Sequence, residues 1–170
     1  MGYHTDFFGE FTVTPTLQEH HKNYLMAFNE TRRMKRNPVI LEEFEDPLRE
    51  AVGLPIGIDG EYFVNGSGFK GQGKDRSIID YNIPPKTQPG LWCGWTPSGS
   101  GCGNYILWNE MEKFYDYIDW LSYIILNFLI TWGYKLNGEV EWQGEDRDDI
   151  GLIIVEANLI HTKQGRIVFE

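Results

Sequence analysis

The sequence has few cysteines and no long apolar run. Its 170 residues include two cysteines, Cys93 and Cys102, too few for the disulfide framework of a small secreted domain. The N-terminal residues MGYHTDFFGE contain no apolar stretch of the kind that a signal peptide needs. The most apolar stretch, around residues 123–132, is about half the length of a bilayer-spanning helix. We therefore expect a cytoplasmic protein with free thiols and no membrane segment.

Cations are scarce relative to acids. The chain has 15 Lys and Arg residues against 25 Asp and Glu residues, which gives a formal net charge of −10. Binding to nucleic acid without sequence preference, or to an anionic membrane surface, depends on an excess of cations that neutralises phosphate groups. We therefore expect no direct nucleic-acid or membrane partner, and we expect either a small anionic ligand or a basic partner protein.

Motifs that carry known chemistry are also missing. The spacings CxxC, HxxxH and HExxH, which bring neighbouring side chains together on a zinc ion, do not occur. The glycine-rich stretch GSGFKGQGK resembles a phosphate loop, but it lacks a Ser or Thr after Gly-Lys and opens no evident helix. These absences predict no metal, no cofactor and no catalytic residue, and they favour a protein that is not an enzyme.

Apolar periodicity predicts one long helix. From Asn109 to Gly138 the apolar residues recur at three- and four-residue intervals, with Asn109 as the N-cap and Gly133 at the C-terminal end. The segment from Glu110 to Trp132 would span roughly 33 Å, about the width of a small domain. Because its second half is apolar nearly all round, we expect cover on two sides.

The rest of the sequence predicts several strands and one helix that precedes the long helix. We predict a first strand at 4–14 and a helix from the N-cap Thr16 to near Met34, then a loop with at most a short helical turn. Glycine and proline keep 52–89 irregular except for two short strands. The further predicted strands are 61–64, 77–81, 91–96, 104–108, 138–142, 150–155 and 159–162. This order predicts a single α+β domain over residues 1–170, with an antiparallel or mixed sheet and two helices packed on one face in a ferredoxin-like layer.

The first candidate site is the basic segment 31–37, TRRMKRN. It carries the cations Arg32, Arg33, Lys35 and Arg36 in an otherwise acidic chain. If the segment ends a helix, Arg32 and Arg36 share a face and could grip a phosphate or carboxylate, whereas Arg33 points elsewhere. Two structural alternatives stay open, because the cations could complement the helix dipole or pair with the acids of EEFED downstream.

The second candidate site is aromatic. Tyr81, Trp92, Trp95 and Trp108 lie around the rigid segment DYNIPPKTQPGLWCGW. Flat rings beside a Pro-Pro segment suit stacking on a base or sugar, or docking of a proline-rich peptide. The alternative is that the rings fill the core. Trp95 lies beside a proline-glycine loop, so we expect it to be the most exposed of the tryptophans.

Carboxylates form a third candidate. Glu139 and Glu141 alternate along a predicted strand and therefore face the same side, and further acids crowd the following turn at 145–149. Paired acids could perform general acid–base chemistry or hold a divalent cation. A solvated hairpin tip is the simpler interpretation, and an acidic ridge that occupies the basic groove of a partner is another.

Four segments carry a resemblance to a known group of proteins. ETRRMKRN, DYNIPP followed by QPGLWCGW, EKFYDYIDWL and WGYKLNGEVEWQGED resemble a family of small, uncharacterised bacterial and phage proteins over most of the chain. The resemblance implies a cytosolic single-domain protein and a phage or mobile-element origin. That family has no established activity, so the resemblance implies no catalytic residue.

Three functional hypotheses follow from these features. The first is a non-enzymatic protein that binds a small nucleotide-like anion in a cleft between the Arg32/Arg36 helix end and the Trp92/Trp95 strand, for example to sequester a signalling nucleotide. The second is an acidic protein whose hairpin at 139–149 binds a basic partner protein. The third is a hydrolase that uses Asp80 or the Glu139/Glu141 pair.

Overall fold

The computed structural model describes residues 2–98 and 103–170. The chain forms two compact units, a first unit of residues 1–17 and 94–170 and a second unit of residues 18–93. The predicted flexible connection PSGSGCG, with Cys102, lies largely outside the described residues. The single-domain assignment stays a prediction.

A six-stranded antiparallel sheet forms the frame of the first unit. Its strands are β1 (Thr5–Thr14), β4 (Trp95–Pro97), β5 (Tyr105–Trp108), β6 (Lys135–Gly144), β7 (Ile150–Glu156) and β8 (Leu159–Gln164). Their order in the sheet is β4-β5-β1-β6-β7-β8, and every neighbouring pair is antiparallel. Strands β1 and β5 to β8 match the predicted strands to within a few residues. Alternation indicates β1 and β6 because a half-buried strand places every second side chain in the core. Of the strand predicted at 91–96, only Trp95 and Thr96 belong to a strand, β4.

The inner face of this sheet carries the core of the first unit. Phe7 lies opposite Trp142, and Val140 lies opposite Ile153 in the next pair of strands. All four side chains are buried. The residues between them along each strand point to the other face, which is exposed. The antiparallel sheet therefore has one dry face and one wet face.

The long helix is shorter than predicted. It begins at Tyr117 and runs through α4 (Tyr117–Ile124), a π-helical turn (Ile125–Leu129) and α5 (Ile130–Trp132). Sixteen residues correspond to roughly 24 Å. The predicted start at Glu110 is wrong because Glu110, Lys113 and Asp116 have positive φ angles. Asn109 caps a turn instead, since its side chain accepts a hydrogen bond from the Met111 amide. Gly133 ends the helix in the left-handed conformation, as predicted.

The helix packs on the inner face of the sheet along one side. Tyr117 contacts Phe7 and Trp142 through its ring, and Trp120, Leu121 and Phe128 are fully buried. Leu126 and Ile130 are 62% and 49% exposed. The expected cover on two sides is therefore absent at these positions.

The second unit contains short elements joined by irregular chain. Its helices are α1 (Glu19–Glu30), α2 (Pro38–Leu41) and α3 (Pro47–Ala51), and a two-stranded sheet pairs β2 (Lys35–Arg36) with β3 (Ile78–Asp80). Strand β3 matches the strand predicted at 77–81. The strand predicted at 61–64 does not form, and α1 ends at Glu30, four residues before its predicted end.

The fold class is α+β with an antiparallel sheet, as predicted. The ferredoxin-like arrangement is not confirmed. Among the residues that the structure describes, no helix combines the length and the apolar character needed to cross a bilayer.

Candidate functional site

The basic segment 31–37 is extended and does not end a helix. Thr31 has φ −113° and ψ 127°, and residues 35–36 form β2. The premise that Arg32 and Arg36 share a helix face is therefore wrong. The local pattern gives no sign of this, because the apolar stripe of α1 continues to Met34, which is buried in the extended segment.

Arg33 and Arg36 hold the second unit together. Both side chains are 2% exposed. Arg33 donates to the carbonyl oxygens of Glu61 at 2.6 Å and Phe63 at 2.9 Å. Arg36 donates through Nη1 to Asp75 and Ser77, both at 2.8 Å. Buried guanidinium groups with fixed partners stabilise the loops that they join, so we assign these two arginines to the framework of the unit.

Arg32 is the cation of this segment that meets the predicted rings. Its guanidinium carbon lies 4.3 Å from the centre of the Tyr81 ring and 6.0 Å from that of Trp92. Its Nε donates to the Tyr81 carbonyl oxygen at 3.1 Å, and its Nη2 donates to Asn82 Oδ1 at 3.3 Å. The predicted association of Arg32 with Tyr81 and Trp92 therefore exists within the second unit.

A further cation joins this group. The ammonium group of Lys74 lies 5.6 Å from the centre of the Tyr81 ring. We call Arg32, Lys74, Tyr81, Asn82 and Trp92 the Arg32 cluster. The rings and Arg32 are half-buried, whereas Lys74 and Asn82 are exposed. The cluster is thus a partly sheltered surface with two cations and two aromatic rings.

Lys35 is half-buried, and its backbone lies opposite Asp80 in the two-stranded sheet. The Lys35 amide donates to the Ile83 carbonyl oxygen at 2.8 Å. Asp80 itself accepts a hydrogen bond from the Asn82 amide at 2.9 Å. This bond fixes the turn that presents Tyr81 and Asn82 to Arg32.

Trp95 is a core residue, which corrects its predicted exposure. It is 1% exposed, and its indole donates to the Tyr117 carbonyl oxygen at 2.8 Å. The rings of Phe7, Phe11 and Phe114 lie 5.3 to 5.6 Å from it. Trp95 therefore cannot stack on a ligand, and the predicted use of a Trp92/Trp95 strand reduces to Trp92.

Trp108 belongs to the same group of rings as Trp95. Its ring lies 5.4 Å from that of Phe7. The alternative interpretation, that tryptophans fill the core, therefore holds for Trp95, whereas Trp108 is half-buried beside Phe7.

A cavity of about 500 Å³ lies beside the glycine-rich loop of the second unit. Ala27, Glu30, Thr31, Val64 and residues 68–71 line it. Gly71 has a φ of 61°, and a Cβ there would lie 2.6 Å from Thr31 Cγ2. Only glycine fits this close approach. Neighbouring side chains of an extended chain point to opposite sides, so Thr31 faces the cavity and Arg32 faces the cluster.

The predicted acids do not form a catalytic pair in a cleft. Glu139 and Glu141 are exposed on the outer face of the sheet. At the hairpin tip, Asp149 accepts hydrogen bonds from Tyr3 at 2.7 Å and Trp142 at 2.9 Å. Within residues 2–98 and 103–170, no group of three His, Cys, Asp or Glu side chains is arranged to hold a metal ion.

Sequence reasoning missed Lys74 and Asn82. Asn82 follows Tyr81 directly, so its position beside the ring could have been inferred. Lys74 lies in the glycine-rich stretch, which lacks the Ser or Thr of a phosphate loop, and its approach to Tyr81 depends on the path of that loop. No local pattern encodes that path.

Protein-family models, curated proteins and solved structures give no match to this chain. The interpretation of the Arg32 cluster therefore rests on its geometry and charge.

Proposed function

We propose that this protein binds a small anion that carries an aromatic group, such as a nucleotide, at the Arg32 cluster, and that it does so without catalysis. The observation that supports the proposal is the placement of the Arg32 guanidinium group 4.3 Å from the Tyr81 ring and 6.0 Å from the Trp92 ring. Arg32 and Lys74 would take the phosphate, and Trp92 would stack on the base.

The donors of Arg32 suit this role. Its Nε and Nη2 hold the side chain in place through Tyr81 and Asn82, whereas its Nη1 makes no hydrogen bond with any residue of the described ranges. A guanidinium group that is already oriented loses little freedom when it binds an anion. A half-buried position also screens the charge less than open solvent would.

The charge distribution favours the second unit as the anion-binding part. Residues 18–93 contain ten Lys and Arg residues and eleven Asp and Glu residues, whereas the first unit contains five and fourteen. The net charge of −10 is therefore carried mainly by the first unit. An anion approaching the Arg32 cluster meets local cations in a nearly neutral unit.

Sequestration of a nucleotide is the biological role that we propose for the Arg32 cluster. A cytoplasmic protein with such a surface could lower the free concentration of a signalling nucleotide, and the resemblance to phage proteins makes sequestration of a host nucleotide a use for it. We assign no catalytic role to Glu139 and Glu141, because both side chains are exposed on an open face of the sheet.

The test is thermal unfolding in the presence of nucleoside monophosphates, diphosphates and triphosphates, with inorganic phosphate and free nucleosides as partial probes. A ligand at a hundred times its dissociation constant adds about 2.7 kcal/mol to the free energy of unfolding. Arg32→Ala should abolish this stabilisation and Trp92→Ala should reduce it. Arg76→Ala is the matched control, since Arg76 is an exposed arginine of the same unit that pairs with Glu43. The proposal fails if no nucleotide stabilises the wild type, or if Arg32→Ala and Trp92→Ala respond like Arg76→Ala.

One observation favours a second candidate function. The first unit has nearly three times as many acids as cations, and Glu145, Asp146 and Asp148 are exposed at the β6–β7 turn. This turn could bind a basic partner protein. Capture of a basic protein that weakens with added salt, and that is lost when these three acids become Asn or Gln, would support this function. Capture that is unchanged by the substitutions would exclude the turn.

A further inference from the structure

The exposed face of the six-stranded sheet has an ordered arrangement of charge. In one cross-strand row Phe8 lies opposite Glu141, which lies opposite Leu152, which lies opposite Lys163. In the next row the order is Glu10, Glu139, Ile154 and His161. We call these eight residues the outer face. On β1, β6 and β7 these residues alternate with core residues, so their side chains project away from the buried face. On β8, Lys163 and His161 lie directly opposite Leu152 and Ile154, so their side chains project to the same face.

Acidic and basic side chains lie on opposite sides of the outer face. The carboxylates Glu10, Glu139 and Glu141 lie on β1 and β6, whereas His161 and Lys163 lie on the edge strand β8. The strand between them, β7, contributes Leu152 and Ile154, which are half-buried. All five of these acidic and basic side chains are exposed, and none makes an ion pair with another residue of the described ranges.

We propose that the outer face is the interface of a homodimer, with a two-fold axis that runs along β7. Rotation about that axis leaves the position along the strands unchanged and exchanges the two sides of β7. Strand β6 of the second copy then lies over β8 of the first, at the spacing of about 10 Å that separates packed sheets. The proposal concerns the first unit and does not depend on anion binding by the second.

The register makes this arrangement self-complementary. Lys163 and Glu141 belong to the same cross-strand row, so the rotation places Lys163 of one copy against Glu141 of the second. His161 and Glu139 share the next row and meet in the same way. Symmetry repeats each pair, so an interface of this kind has two Lys163–Glu141 pairs and two His161–Glu139 pairs.

Apolar side chains complete the interface. Leu152 and Ile154 lie on the axis and meet their own copies. Phe8, which is 56% exposed, lies on the β1 side of the same face. The pairing also relieves an unfavourable contact, because Glu10 and Glu139 are like charges directly opposite each other on neighbouring strands. The His161 ring of the second copy beside Glu139 offers a hydrogen-bond donor to that carboxylate and so offsets part of the repulsion.

The charge pattern selects a second copy over a generally basic partner. A basic partner would match the carboxylates of β1 and β6 but would repel Lys163 of β8. A second copy in the two-fold arrangement matches both sides at once. The net charge of −10 on each chain opposes association at low salt, so the dimer should be measured near physiological ionic strength, where charges beyond a Debye length of about 8 Å are screened.

The experiment is sedimentation velocity of the full chain from low micromolar to near-millimolar concentration. The wild type should shift from monomer to dimer as its concentration rises. Lys163→Glu and Glu141→Lys should each raise the dimer dissociation constant by about tenfold or more, because each places like charges together twice. The matched controls are Lys113→Glu and Asp148→Lys, which make the same charge changes at exposed positions off the outer face. Both should dimerise like the wild type.

A mixture gives the decisive result. In a heterodimer of Lys163→Glu with Glu141→Lys, every reversed residue meets a residue of opposite charge. An equimolar mixture should therefore recover the dimer at concentrations where each variant alone is mainly monomeric. Recovery also shows that both variants are folded. The proposal is overturned if the wild type stays monomeric throughout, if the outer-face variants dimerise like the controls, or if the mixture does not recover association.

Discussion

The guanidinium group of Arg36 lies 2.8 Å from the carboxylate of Asp75, and the arginine side chain is 2% exposed against 18% for the aspartate. Asp75 also accepts hydrogen bonds from the backbone amide and the hydroxyl group of Ser77. This pair joins β2 to the segment that leads into β3. An arginine that the sequence suggested as part of an anion site therefore serves to hold the second unit together.

Replacement of Asp75 by Asn should destabilise the protein strongly. The substitution leaves a buried guanidinium group without its counter-ion, and loss of one partner from a buried pair costs about 3 kcal/mol. Urea unfolding measures this change in the free energy of unfolding. Glu43→Gln is the matched control, because it breaks an ion pair with Arg76 in which both side chains are at least 60% exposed. Exposed pairs contribute about 1 kcal/mol or less. Equal costs for the two variants would contradict the framework role of Arg36.

The Arg36–Asp75 pair also predicts how the free energy of unfolding changes at acidic pH. Burial raises the pKa of Asp75, but hydrogen bonds from Ser77 and Arg36 outweigh burial and hold the pKa below its ordinary value of 3.8. An acid whose folded-state pKa is lowered contributes stability that is present above the unfolded-state pKa and is lost as pH falls through the folded-state value. The wild type should therefore lose stability below about pH 4. Urea unfolding at a series of pH values should show that the free energy of unfolding falls less steeply with decreasing pH in Asp75→Asn than in the wild type. An identical slope in the two proteins would show that the pKa of Asp75 is not lowered.

The strands were predictable because their signal is local. Alternation of apolar and polar residues in β1, β6 and β7 reports the two faces of the sheet directly. The start of α4 was not predictable in this way. Glu110, Lys113 and Asp116 adopt positive φ angles without being glycine, and Phe114 between them is buried beside Trp95. The packing of Phe114 against Trp95, which is distant along the chain, therefore determines the backbone conformation of this segment, although its apolar residues recur with a helical period.

The candidate site was predictable in part for the same reason. The proximity of cations and rings along the chain suggested a shared surface, and Arg32 does meet Tyr81 and Trp92. The roles of the other arginines depend on partners 28 to 55 residues away for Arg33 and 39 to 41 residues away for Arg36. Only the folded structure shows which guanidinium groups are bound to such distant partners.

His21 should titrate at unusually low pH. Burial, followed by the neighbouring His20, lowers the pKa of His21 from 6.5 to about 4. The two rings lie 4.1 Å apart. NMR titration of the ring protons should give this pKa. His20→Asn should raise the pKa of His21 only part of the way to 6.5, since burial is the larger cause.

The sign of the stability change follows from the same shift. A lowered histidine pKa means that the folded state binds fewer protons than the unfolded state, so stability falls as pH drops from about 6.5 towards 4. His21→Gln should lessen that decline. A His21 pKa near 6.5, or a complete return to 6.5 in His20→Asn, would show that burial does not govern this ring.

Trp95 and Trp92 should differ sharply in their effect on stability. Trp95→Phe removes the hydrogen bond to the Tyr117 carbonyl oxygen and leaves a gap among Phe7, Phe11 and Phe114. A truncation of this kind in a packed core costs about 2 to 4 kcal/mol. Trp92→Phe, at a half-buried position, should cost about 1 kcal/mol or less.

Urea unfolding of both variants measures the comparison, and it bears on function as well as on stability. If Trp92→Phe proves as costly as Trp95→Phe, Trp92 is held as firmly as a core residue and is unavailable to stack on a nucleotide base. If the costs separate as expected, the tryptophan beside Arg32 is free to bind a ligand, because the framework does not depend on it.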